Sequence, residues 1–194
     1  MRVRQARRAD LDAGACDLAA AFAADPWFRW LYPDDAMWPR LPTAWFALVL
    51  DRAFPHGHTY VTDGGICNWI PPDVHFPGAD DVQRAVELLA SQIGERASRA
   101  LGFIGDAGAE FPDEPRFHCV YVGVEPTRQG EGCGRALLGR VLDVCDRDGI
   151  AASLTSTNDA NLALYRSLGF RDLAEVPVEG FALRPMWREP GLAA

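Results

Sequence analysis

The hydrophobic pattern of this chain predicts an α/β fold built on one sheet, and three observations carry that prediction. Residues 58–62 and 65–70 read as short strands joined by Asp63-Gly64, a pair that favours a tight hairpin turn. Residues 116–124 are aromatic and β-branched, then give way to a glycine-rich turn and an amphipathic helix. Strand and helix patterns keep alternating to the end, in the overall order β-α-α-β-β-α-β-α-β-α-β-β.

Taken in order, residues 2–8 suit an edge strand. Asp10 suits the N-cap of a helix to about residue 24, with Leu11, Cys16, Leu18 and Phe22 buried and Asp25-Pro26 ending it. Residues 37–54 carry Leu41, Trp45, Leu48 and Val49 at helical spacing, which confines Pro39 and Pro42 to the first turns or before them. Pro71-Pro72 closes the hairpin, and residues 80–101 are helical again through Val82, Ala85, Val86, Leu89 and Ile93. The stretch 102–115 is rich in Gly, Pro and acid, so a loop or lid is expected there. Residues 134–148 place Leu137, Leu138, Val141, Leu142 and Cys145 on one side of a helix. A strand at 151–156 and a short helix at 161–168, stopped by Gly169, follow. The last two strands, 170–177 and 181–187, turn at Glu179-Gly180.

A length of 194 residues suits one domain over 1–194, large enough to bury a core without staples. The net charge of −8 weighs against a nucleic-acid partner, which calls for a basic patch. All 19 basic residues are arginine, which excludes lysine Schiff-base chemistry and the Walker-type phosphate lysine. Cys16, Cys67, Cys119, Cys133 and Cys145 are odd in number and widely spaced, fitting neither a disulfide framework nor a zinc site. His56 and His58 have no evident third ligand, so no metal is expected. The arginines after Met1 precede no apolar signal core, and no apolar run approaches the roughly 20 residues of a membrane span. The expected setting is cytoplasmic, with no membrane partner.

The turn Arg128-Gln129-Gly130-Glu131-Gly132-Cys133-Gly134-Arg135 has the makings of a phosphate cradle. Glycines permit positive φ and let backbone N–H groups approach an anion. A helix starting near Gly134 adds unpaired donors and the positive end of its dipole, and Arg128 and Arg135 flank it with charge. A dinucleotide fingerprint is excluded: the third glycine comes one residue early, and neither Asp148 nor Asp159 is placed to hold a ribose. A purely structural turn also fits the glycines alone.

Gln129-Gly130-Glu131-Gly132-Cys133-Gly134 resembles the Q/R-x-x-G-x-G/A signature of the GCN5-related N-acetyltransferases (GNAT). Val122-Gly123-Val124-Glu125-Pro126 resembles the strand and turn that lead into it. Asn161-Leu162-Ala163-Leu164-Tyr165-Arg166-Ser167-Leu168-Gly169-Phe170 is similar to that family's N-x-x-x-Y-x-x-x-G-F segment. The likeness covers residues 116–187; the N-terminal half matches in the order of its elements.

The resemblance implies a single mixed, mostly antiparallel sheet with helices on both faces and a splayed central pair, the fourth and fifth strands. It implies acetyl-CoA as co-substrate, an amine-bearing acceptor as partner, and direct transfer from the thioester to a primary amine. A non-catalytic acyl-CoA sensor of the same fold is the alternative. By resemblance, Val122, Gly123 and Val124 offer backbone groups to the pantetheine arm, and residues 128–135 hold the pyrophosphate. Tyr165 corresponds to the acid that protonates the departing thiolate, and it also suits a ring packed on the sheet. Asn161 either contacts the pantetheine or caps the short helix, a role for which Asn158 competes. A homodimer through the C-terminal strands is a further family-based expectation.

The base is open on the residues alone. An alkylamine titrates near 10.4, so deprotonation at pH 7 costs roughly 4–5 kcal/mol and a proton acceptor helps. His118 titrates in a useful range and faces the acceptor cleft if it shares a face with Val120 and Val122, with Tyr121 on the other. A buried structural histidine fits equally well, and Glu110 and Asp113 are further candidates. Trp27, Trp30, Trp38, Trp45 and Phe103 suit either a pocket or the core.

Overall fold

In the computed structural model, which describes residues 2–191, the strands are β1 (Arg4–Gln5), β2 (Thr59–Thr62), β3 (Gly65–Ile70), β4 (Arg116–Val124), β5 (Ala151–Ser156), β6 (Arg171–Asp172), β7 (Val176–Val178) and β8 (Phe181–Arg188). They run β1-β2-β3-β4-β5-β8-β6 across the sheet, and β7 also pairs β8. β4 and β5 are parallel and every other pair is antiparallel, so the mixed, mostly antiparallel sheet is as expected. The strand expected over 170–177 is in two pieces, β6 and β7, both seated on β8.

The helices are α1 (Leu11–Ala21), α2 (Pro26–Leu31), α3 (Arg40–Ala53), α4 (Ala79–Ile93), α5 (Arg96–Ala109), α6 (Cys133–Asp148) and α7 (Leu162–Ser167). α1 and α3 pack on one face of β3 and β4, and α6 packs on the other. Alternation along β3 divides the core accordingly. Ile66 joins Leu18, Phe28, Phe46 and Leu50 on one side. Cys67 joins Leu137, Leu138 and Val141 on the other.

Four local expectations need correction. Asp25-Pro26 does not simply end a helix; Asp25 accepts from the N–H groups of Trp27 (3.0 Å) and Phe28 (3.3 Å), and Pro26 opens α2. Cys16 is exposed, because α1 buries Gly14, Ala15, Leu18 and Ala19 instead. Gly14 sets that choice: a Cβ there would lie 2.4 Å from Ile66 Cδ1. The helix expected over 80–101 is two, since Gly94 at φ +58° ends α4.

The stretch 102–115 is helix through Ala109 and only the rest is connection. Gly102, Gly105 and Gly108 lie on its open side, where a Cβ would meet nothing within 4 Å. Ala100 and Ala107, two turns apart, are buried on the same helical face, and that packing outweighs the poor helix propensity of glycine.

Candidate active site

β4 and β5 pair from Arg116↔Ala151 to Cys119↔Leu154, where their ladder stops. β4 continues against β3 to Val124, and β5 continues against β8 to Ser156. Past Cys119 the two facing strand edges therefore part, leaving backbone groups for another partner. A cavity of about 180 Å³ lies in the parting, lined by Val122, Leu154, Thr157, Asn161 and Tyr165. The splayed pair is thus the fourth and fifth strands.

A bulge adjoins it. Cys119 lies opposite Trp69 and Tyr121 opposite Asn68, so Val120 has no partner on β3. The Asn68 side chain steadies the bulge by accepting the Tyr121 N–H at 3.1 Å. Residues directly opposite one another point the same way, so His118 and Tyr121, facing Ile70 and Asn68, share a face. Val122, opposite Cys67, points to the α6 side. The expectation that His118 shares a face with Val122 and opposes Tyr121 is corrected, because one inserted residue reverses the alternation.

His118 is partly buried between Arg116, Ser153 and Phe111. Its Nδ1 lies 2.9 Å from Ser153 Oγ, which also accepts from Arg116 Nε at 3.2 Å. Burial, with the Arg116 charge, pulls the imidazole down to about 4, so it is neutral across the physiological range. If Nδ1–H donates to Ser153, Nε2 is the free acceptor; in the other tautomer the Ser153 hydroxyl serves Nδ1. Tyr121 accepts from Trp45 Nε1 at 2.8 Å, and burial pushes its phenol up to about 12.

In the glycine turn, Gly130 and Gly132 have φ of +83° and +84°, and a Cβ at either would meet only open space. Gly132 occupies the N-cap of α6 without a side-chain cap, which leaves the first N–H groups of Cys133, Gly134 and Arg135 pointing outward. The donor geometry fits an anion such as pyrophosphate. Gln129 Nε2 donates to the Val124 carbonyl at 3.0 Å, tying the turn to the exit of β4. Arg128 is clamped by Asp63 (2.5 Å) and Glu131 (2.9 Å), two carboxylates that more than offset its single positive charge, so it lends the turn no free cation in this arrangement. Arg135 Nη2 bonds Ser167 Oγ at 2.5 Å, joining α6 to α7. Cys133 is buried as the first residue of α6. Gly123 packs tightly: a Cβ there would lie 2.7 Å from Leu18 Cδ2.

Tyr165 is 7% exposed at the parting, and burial holds its phenol well above the usual range, so it keeps its proton. Asn158 takes the capping role, accepting from Ala160 N–H at 3.0 Å, while Asn161 makes no side-chain cap and lines the cavity. Sequence reasoning missed the buried Asp25 carboxylate, which also accepts from Thr157 Oγ1 at 2.7 Å and so ties α2 to the end of β5. Its signal was Asp-Pro read as an N-cap rather than a stop. Cys119 lines the cavity too, but burial raises its thiol far above its ordinary value.

A second cavity, of about 630 Å³, lies under α3, α4 and α5. It shares Ile104, His118, Val120, Tyr121 and Thr155 with the first, so the two meet at the bulge. Of the aromatic candidates, Trp27 lines the first cavity and Trp45 the second, while Trp30, Trp38 and Phe103 pack on the core. Glu110 and Asp113 line neither cavity as drawn by these residues.

The model of the acetyltransferase (GNAT) family matches residues 24–170. The chain is 42% identical over 66 residues to the L-amino acid N-acyltransferase MnaT of Escherichia coli (strain K12), covering 32% of this chain and 37% of that protein. It is 39% identical over 82 residues to the N-alpha-acetyltransferase RimI of Mycobacterium tuberculosis (strain ATCC 25618 / H37Rv), covering 41% of this chain and 51% of that one. The matches therefore span from about a third to half the length of these relatives. The structure described as histone acetyltransferase HPA2 and related acetyltransferase from Corynebacterium glutamicum ATCC 13032 superposes with a TM-score of 0.72 at 25% identity, over 99% of this chain and 97% of that one. With the splayed strands, the glycine turn and this match together, the chain belongs to the acetyltransferase (GNAT) family.

Proposed function

We propose that this chain is an acetyl-CoA-dependent N-acetyltransferase that transfers the acetyl group directly to a primary amine. The observation that carries the reading is the end of the β4–β5 ladder at Cys119 and Leu154, beside an uncapped α6 N-terminus. Acetyl-CoA supplies a thioester whose carbonyl accepts an amine nucleophile. On this chain, the N–H groups of residues 133–135 and the open turn at Gly130 and Gly132 receive the pyrophosphate. The β4 segment Val122, Gly123 and Val124, beyond the end of the β4–β5 ladder, receives the pantetheine arm together with Asn161.

Tyr165 holds the proton that the leaving thiolate needs. His118 Nε2 takes a proton from the attacking nitrogen once the N–C bond forms and that nitrogen becomes acidic; a weak base suffices at that stage. The apolar surroundings that keep His118 neutral also favour the uncharged amine. We propose one domain over 1–194, in the cytoplasm, a setting supported by five free cysteines. A homodimer through the C-terminal strands is part of the proposal and is read by sedimentation.

The test is thermal: at 100 times Kd, acetyl-CoA adds about 2.7 kcal/mol to stability and raises Tm. No shift with acetyl-CoA or any other acyl-CoA defeats the reading. One observation favours a second reading, a sensor without turnover: the low basicity of His118. Saturable CoA binding with no CoA release over a broad amine panel identifies it.

A further inference from the structure

The second cavity has a composition that selects its occupant. Val82 (43% exposed) and Ile104 (45%) are the large hydrophobic side chains left exposed among the described residues, and both line this chamber. Val74, Phe76 and Ala85 continue the apolar wall, and at about 630 Å³ it falls within the range of small-molecule sites. Within the wall, Arg52 and Asp81 form an ion pair and offer no free charge to a ligand. The other charged lining residues, Glu114 and Arg116, lie on or just before the strand that carries His118, at the chamber's floor and away from Val82.

A peptide acceptor needs backbone partners, and this wall provides few. Pro71, Pro72 and Pro77 line it without N–H donors, and much of the remaining wall is helix side chain. The chamber floor is the bulge, where His118, Val120 and Tyr121 belong to both cavities. A molecule filling the chamber therefore presents one end to the parting of β4 and β5.

We propose that the acceptor is a small primary amine on an apolar body, seated among Val82, Ile104, Val74 and Phe76 with its nitrogen at His118. This rests on the acetyltransferase reading and names the substrate class of its acceptor side. The body is held by apolar burial, so kcat/KM rises about fourfold for each added methylene until the chamber is full.

The experiment is a CoA-release assay with purified chain, acetyl-CoA, a straight-chain alkylamine series, phenylethylamine, spermidine, glucosamine and a peptide with a free N-terminus. Apolar amines are expected to lead by at least tenfold in kcat/KM. Val82→Asp, at an exposed position, is expected to raise KM for them at least tenfold, with KM for acetyl-CoA unchanged. Ala85→Trp, which fills the chamber, is expected to do the same. Turnover that favours spermidine, glucosamine or the peptide, with apolar KM unmoved by Val82→Asp, overturns the inference and leaves the acetyltransferase reading standing. Calorimetry of hexylamine with CoA-saturated chain separates the two readings. Hexylamine binding that Val82→Asp weakens, without CoA release, supports the chamber and defeats the enzyme. Absence of both binding and turnover overturns the chamber assignment.

Discussion

His118 shows how much a single environment can alter a familiar side chain. An unperturbed histidine titrates near 6.5, whereas this one is pulled to about 4 by burial and Arg116. Between those values the unfolded chain takes a proton that the native state declines. Stability from this residue is therefore whole above about 6.5 and is lost as pH falls toward 4, by up to about 3 kcal/mol. His118→Asn is expected to flatten that part of a curve of urea midpoint against pH. Tyr165→Phe is expected to lower kcat roughly 10- to 100-fold with acetyl-CoA affinity unchanged, because it removes only the phenolic proton. Full kcat in that variant removes the acid assignment. At this scale the residue types in the motifs were readable from sequence, and their environments were not. Nothing near Asp25 in the chain announces that Thr157 will bond to it from 132 positions away.

Among elements, the glycine turn and β4 depend on two glycines for different reasons. Gly132 needs its positive φ to start α6, so Gly132→Ala is expected to cost about 1 kcal/mol in stability and to weaken CoA binding, measured by melting and calorimetry. Gly123 needs its missing Cβ, since Leu18 and Ala21 of α1 lie 2.7 and 3.1 Å from where one would sit. Gly123→Ala is expected to cost about 1–3 kcal/mol by pushing α1 off the sheet. The motif likeness singled out both, but only the packing separates the conformational demand from the steric one. β4, β5 and the hairpin were legible because strand propensity, turn chemistry and burial agree there. α5 was not, because three glycines mask a helix held by Ala97, Ala100 and Ala107 against the core. The bulge at Val120 was invisible for a related reason: it is set by Asn68 on another strand.

For the whole molecule, the sidedness of the core predicts the reactivity of its thiols. Cys16 is exposed on α1 while Cys67, Cys119, Cys133 and Cys145 are buried. A thiol reagent is expected to titrate one cysteine quickly in the native chain and the other four only on unfolding; fast labelling of two or more contradicts this packing. No helix among the described residues is long and apolar enough to cross a membrane. Fold class and donor-side motif were readable from the chain because they reside in a continuous stretch. The proposed acceptor chamber was not, since it is assembled from α3, the β3–α4 connection, α4 and α5.

The meeting of the two cavities at the β4 bulge also bears on the rate law. In the proposed reaction each substrate has its own compartment, and Cys119, a thiol lining the first cavity, is held protonated by burial and unfit to carry an acyl group. That proposal puts both reactants aboard together. Double-reciprocal plots at several fixed donor concentrations are expected to intersect rather than run parallel. An unreactive analogue of the acceptor is expected to compete with the amine alone, leaving the donor's apparent affinity within about twofold of its uninhibited value.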